Sequence, residues 1–248
     1  MDFSVFLQPA FSGGGIYLDW VLSGIKWTLL VSVLGWIIAF AVGSVLGVLR
    51  SAPVAILRTP ATIYVEVFRN VPLLVQMFIW YFVLPEIVPK GMGDWLKTRM
   101  PMPEFWNAVL CLGFYTASRV AEQVRSGIQS IPRGQTEAGL AMGLTRWQVY
   151  RHVLLPMGYR IVIPPLTSEF LTIFKNSSIA LTIGVLELTA QARQISEYTF
   201  RTFEVFTIAT VVYVLITLTV TVAMRALENK VRVPGFIGTE SGAPPAGH

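Results

Sequence analysis

The chain has 248 residues, 54% of them hydrophobic and 13% charged, with a mean hydropathy of +0.61. Soluble domains carry about 25% charged residues, so a water-soluble globule is excluded and a polytopic membrane protein is expected. The formal net charge of +5 does not point to nucleic acid, because the basic residues flank apolar runs, as they do in positive-inside loops.

Residues 1–15 hold Asp2 and no Lys or Arg, so they lack the charged start of a cleavable signal peptide, and the first apolar run is expected to be retained. Five transmembrane spans are expected in an all-α fold. The first, 27–49, is uncharged; at about 1.5 Å per residue it reaches roughly 34 Å, enough for a hydrocarbon core of about 30 Å. Its Gly43 and Gly47 form a GxxxG face suited to close helix packing. The second span, 61–84, carries Glu66, Arg69 and Pro72 in its first half. In the third, 105–126, Arg119, Glu122 and Arg125 recur every three residues and predict an ion-pair ladder, while the lone Cys111 reads as a small core residue. The fourth, 160–186, contains Pro164, Pro165, Glu169 and Lys175, and the fifth, 205–224, is again free of charge. The tail, 236–248, is rich in Gly, Pro and Ala and reads as disordered.

Five spans put the two ends on opposite sides. With the N-terminus outside, ten Lys and Arg fall on the inner side against six outside, the other three of the nineteen lying within spans. The positive-inside rule therefore favours N-out, C-in.

Between the third and fourth spans, "EAGLAMGLTRWQVYRHVLLP" (137–156) is too polar for the bilayer and too patterned for a connector. Gly143 is suited to end a helix in the left-handed conformation, and Thr145 with Gln148 forms a T-x-x-Q capping box that starts another. The loop 133–157 is therefore expected to be a cytoplasmic helix–turn–helix. Trp147 and Tyr150 offer apolar contact and Arg146 and Arg151 offer charge, so the segment could lie on lipid or dock on a partner.

The spacing of Glu137, Ala138, Gly143, Val153, Leu155 and Pro156 resembles the "EAA, three residues, G, nine residues, I-x-LP" pattern of bacterial ABC importer permease subunits. Gly139 stands where that pattern usually has a third alanine. "YVEVFRNVPLLVQ" (64–76), "SRVAEQVRSGIQSIPRGQTEA" (118–138) and "FKNSSIALTIG" (174–184) are similar to the polar amino acid branch, closest to glutamate/aspartate permeases. The resemblance runs from about residue 16 to 235, which makes 1–235 one permease domain. It implies the type I importer permease fold in a bacterial inner membrane, with the loop as a coupling helix. Glu137, Ala138, Gly139, Gly143, Arg146, Leu155 and Pro156 would then meet an ATPase. The implied partners are two copies of that ATPase, which bind ATP and magnesium, a second related permease in a heterodimer, and an outer-face amino acid-binding protein.

No cofactor is expected on this chain. None of its lysines follows a glycine, so there is no GxxxxGK[ST] phosphate loop, and neither a zinc motif nor a nucleophile with its base is present. A self-sufficient ion-coupled amino acid transporter is the alternative; it would show inverted repeats, and no convincing internal repeat is evident. A structural or signalling membrane subunit is a third class.

Pro72 frees the carbonyl of Phe68, and Pro164 and Pro165 free those of Arg160 and Ile161, so broken or bent helices are expected there. In lipid such groups are tolerated only against protein or a water-filled cavity. A cation at mid-membrane costs about 2.5–3.5 kcal/mol even on lenient scales, which makes Arg69 and Lys175 notable. On one reading Arg69, Asn70, Pro72, Lys175, Asn176 and Ser177 line a solute site, in which a neutral Asn176 tolerates an acidic side chain. On the other, Arg69 pairs with Glu66 while Lys175 snorkels outward or neutralises Glu169.

Overall fold

The computed structural model describes residues 2–11, 15–52 and 54–231, and among these all regular structure is helical. The predicted tail, 236–248, lies outside the described residues. Helix α1 is Tyr17–Ser51, α2 Ala55–Asn70, α3 Leu73–Ile87 and α4 Pro103–Gln129. Helix α5 is Arg133–Ala141, α6 Arg146–Ile183, α7 Leu188–Thr199 and α8 Thr202–Val231.

A stripe of small residues every fourth position on α1, Gly35, Ala39, Gly43 and Gly47, is fully or nearly buried. A Cβ added at Gly43 would come within 2.6 Å of Val120, and one at Gly47 within 2.6 Å of Val124. The predicted GxxxG face is thus the seam along which α1 and α4 touch backbone to backbone. Gly35 faces Leu112 and Gly47 faces Val124, so the two helices run parallel. Gly127 of α4 faces Val162 of α6, and Arg119 pairs with Glu169, so α6 runs antiparallel to them. Val205 and Ala209 of α8 share a cluster with Tyr17 and Val21, whereas Met224 and Leu227 lie beside Pro156 and Tyr159. Helix α8 is therefore parallel to α1, and the C-terminal ends of α1, α4 and α8 gather at the end of the bundle that carries α5.

Two helices, Tyr17–Ser51 and Thr202–Lys230, are long and apolar enough to cross a membrane by themselves, and two bent pairs would raise the number to four. The predicted second span is not one rod: Ala55–Asn70 and Leu73–Ile87 meet at 105°. Pro72 is the cause, because it has no N–H to continue α2 and instead sits as the cap residue of α3. The expected break at Pro164 and Pro165 is absent, both lying within a continuous helix, Leu155–Asn176. The bend in that region, 52°, comes later, between Ile183 and Leu188, where Gly184 adopts φ +96°. Glu187, fully buried, then starts α7 by accepting bonds from the Thr189 and Ala190 amides (3.0 and 2.8 Å) and the Tyr213 hydroxyl (2.7 Å).

Three widened turns precede prolines. Leu84 N–H bonds Ile79 ahead of Pro85, Met100 N–H bonds Trp95 ahead of Pro101, and Leu155 N–H bonds Tyr150 ahead of Pro156. Such i→i+5 turns relieve the clash of a proline ring with the carbonyl four residues back. The loop's second helix consequently passes without interruption into the predicted fourth span, rather than standing as a separate short helix.

Candidate functional site

Two groups of sequence-predicted residues define two places in the fold. The first is the loop 133–157. Gly143 has φ +84°, its N–H bonds Leu140 at 3.0 Å, and the N–H of Leu144 bonds Gly139 at 3.1 Å. This pair of bonds is a Schellman motif, which closes α5 as the glycine predicts. The Thr145 side chain accepts from the Gln148 amide (3.3 Å) and the Gln148 side chain accepts from the Thr145 amide (2.8 Å), so the capping box is present as well. Gly139 is buried beneath Val149, which is where α5 and α6 touch.

The other side of this unit is open. Glu137, Ala138, Arg146 and Pro156 are exposed, as are Leu140, Met142 (82%) and Trp147 (65%), while Leu155 is half-buried at the root of α6. One side chain ties the unit to the bundle: the Tyr150 hydroxyl donates to the Val48 carbonyl at 3.1 Å and bonds Ser51 at the end of α1. Sequence reasoning gave Tyr150 an apolar role only, and its hydroxyl is what the partner helix uses.

The second place is the elbow between α2 and α3. Arg69 turns to Glu122, at 3.6 Å, rather than to Glu66. Glu122 also takes Arg50 and Arg125, and Glu66 lies 3.8 Å from Arg50. Three guanidinium groups thus share two carboxylates, and Arg69 remains half exposed. The predicted ladder on α4 is therefore a hub joining α1, α2 and α4, from which Arg119 is absent because it bonds Glu169 on α6 at 2.7 Å. Glu169 is accordingly not the partner of Lys175, which is exposed and has no carboxylate within 4 Å among the described residues.

Asn70 donates to the Glu66 carbonyl at 2.7 Å. The carbonyl that Pro72 frees is not left to a solute. The Gln76 side-chain amide donates to Phe68 and Val71, both at 2.8 Å, from a buried position. Gln76 was missed as a functional residue, although a lone amide four positions past a proline in an apolar run is the available signal. Ser177 is fully buried and its hydroxyl bonds Phe174 at 2.8 Å, while Asn176 is half-buried at the end of the α-helical part of α6. Elbow and turn are brought together through one core cluster, in which Leu73 and Met77 pack with Ile173, Phe174 and Ala180.

This geometry has relatives. Residues 39–233 match the family described as the binding-protein-dependent transport system inner membrane component. The chain belongs to this family. It is a membrane transport subunit and not an enzyme. The glutamate/aspartate import permease protein GltJ of Escherichia coli strain K12 is 49% identical over 239 residues, covering 96% of this chain and 97% of that protein. The glutamine transport system permease protein GlnP of the same strain is 33% identical, covering 86% of this chain and 93% of its own. Among solved structures, an amino acid ABC transporter crystallised with histidines matches with a TM-score of 0.75 and 31% identity, over 86% of this chain and 95% of that one. The MetNI methionine ABC transporter matches with a TM-score of 0.71 over 87% of this chain and 98% of that one; at 22% identity it supports the fold alone.

Proposed function

We propose that this family member is the permease of an importer for acidic amino acids, glutamate and aspartate, driven by a separate ATPase that docks on the loop 133–157. The observation that carries the docking is the form of the loop. Its turn is closed by a Schellman motif and a capping box, yet it presents Met142, Trp147 and Arg146 outward. An apolar and basic surface on a rigid unit, tied to α1 through Tyr150, suits a protein partner that pushes on it. The substrate class is supported by the 49% identity to a glutamate/aspartate permease over nearly the full length of both chains.

The chain would cross the membrane five times, N-out and C-in, with the elbow pair and the α6–α7 pair each counting as one crossing. The parallel courses of α1, α4 and α8 agree with that count. Partners would be two ATPase copies carrying ATP and magnesium, a second related permease and an outer binding protein. The solute path would pass the elbow and the turn at 175–177, where Arg69 is only partly neutralised and Lys175 is unpaired among the described residues. Either cation can receive a carboxylate.

A cross-linker on Met142→Cys, in cells that import glutamate, is expected to capture a nucleotide-hydrolysing subunit; repeated failure with intact uptake would reject the docking surface. Asn176→Asp is expected to lower glutamate uptake severalfold at unchanged protein level, and undiminished uptake would remove Asn176 from the path.

A further inference from the structure

A groove of about 550 Å³ lies between α1, α6 and α8, away from the elbow and meeting the loop at Pro156. Its walls are Trp36 and Phe40 from α1, Tyr159 and Phe170 from α6, and Met224 and Leu227 from α8. The aromatic rings form a continuous ribbon: Phe170 to Trp36 at 5.0 Å, Trp36 to Phe40 at 6.2 Å, and Phe40 to Tyr159 at 6.5 Å between centroids. From Pro156 at one end to Phe170 at the other, the α6 wall rises about 21 Å, comparable with the roughly 15 Å of one leaflet's hydrocarbon. One charge lines the groove, Arg160, which is exposed and has no carboxylate within 4 Å among the described residues. Glu228, one position beyond Leu227, forms no ion pair with it.

The geometry points to a bound anionic phospholipid: one acyl chain lies along the aromatic ribbon, and the Arg160 guanidinium holds the phosphate. The orientation proposed above sets the leaflet, since it places Arg160 on the inner side. Three observations favour lipid. The lining is apolar except at one end, as an acyl chain requires. Arg160 can snorkel from an apolar wall to a headgroup. Arg146 and Arg151 are also exposed toward the same end of α6, so the local field favours an anion. Pro156, which closes the coupling pattern, forms the mouth, so the lipid would touch the root of the loop.

The test is native mass spectrometry of the full transporter, purified with its ATPase and exposed to phosphatidylglycerol or phosphatidylcholine. Wild type should retain phosphatidylglycerol preferentially. Arg160→Glu should reduce that retention by about fivefold or more, the equivalent of one surface charge against anionic lipid. Arg160→Lys should keep most of it, and Ile163→Trp, which fills the groove, should displace either lipid. Equal retention of the two lipids by wild type, or undiminished phosphatidylglycerol on Arg160→Glu, overturns the proposal. So does efficient disulfide capture of the second permease by Leu227→Cys in active membranes, because protein would then fill the groove. Failure of the Met142 cross-link would reject the docking and leave these lipid readouts unchanged, so the two readings fail separately.

Discussion

The loop 133–157 and the α2–α3 elbow both interrupt helices, and they are held by different means. In the loop every bond that shapes the turn joins residues within five positions of one another, Tyr150 alone reaching out to α1, and Gly143 supplies the one left-handed residue. At the elbow the interruption is caused locally by Pro72 but repaired by a side chain from the following helix, Gln76, with packing from α4 and α6 around it. Local bonds make a rigid unit that can be moved as a whole. A repaired break in the bundle interior depends on neighbours, which suits a segment whose surroundings change during transport.

Substitutions test this contrast. Gln76→Leu should have the largest effect. It orphans two carbonyls at about 1–3 kcal/mol each, offset in part because the Gln76 Oε1 is itself buried without a partner, which leaves roughly 1–3 kcal/mol. Thermal unfolding in detergent would register this as a lowered midpoint. An unchanged midpoint would mean that the elbow does not need its bridge. Gly143→Ala should cost about 1–2 kcal/mol through the left-handed backbone alone, since an added Cβ there meets nothing within 4 Å. Its expected signature is weaker ATPase co-purification, with Gly143→Asn milder. If alanine were as good as glycine, the turn would not be constrained.

Tyr150→Phe should be smaller still, about 0.5–1.5 kcal/mol for the lost hydroxyl bonds to α1. Its informative readout is ATPase stimulation by substrate, which should fall more than stability does. An equal fall in both would reduce Tyr150 to a packing residue.

The same contrast explains what could be read from sequence. The loop was legible down to Gly143 and the Thr145–Gln148 box because its code is local. The GxxxG seam of α1 was legible for the same reason, a period on one helix. The elbow was legible as a break and not in its repair, because the lone amide of Gln76 signals a donor nearby but not that the bend folds it back onto Phe68. Ion pairs were least legible. Glu66, Arg69, Arg119 and Glu122 lie at helical spacing from candidate partners on their own helices, and only Glu122 with Arg125 kept such a partner. Across a tightly packed bundle a facing helix is as near as the next turn, so the partner is decided by how α1, α2, α4 and α6 cross. The missing break at Pro164 and Pro165 has a related origin, since a proline removes one bond while neighbours can still hold the helix together.

Position 139 shows how far one methyl group reaches. The family pattern usually has alanine there, but here a methyl would sit 2.7 Å from Val149, itself buried. Residues 139 and 149 therefore trade bulk: alanine at the first requires a smaller neighbour at the second. Gly139→Ala alone should pry α5 from α6, and pairing it with Val149→Ala should restore the fit, so chimaeras that import this segment must transplant both positions together.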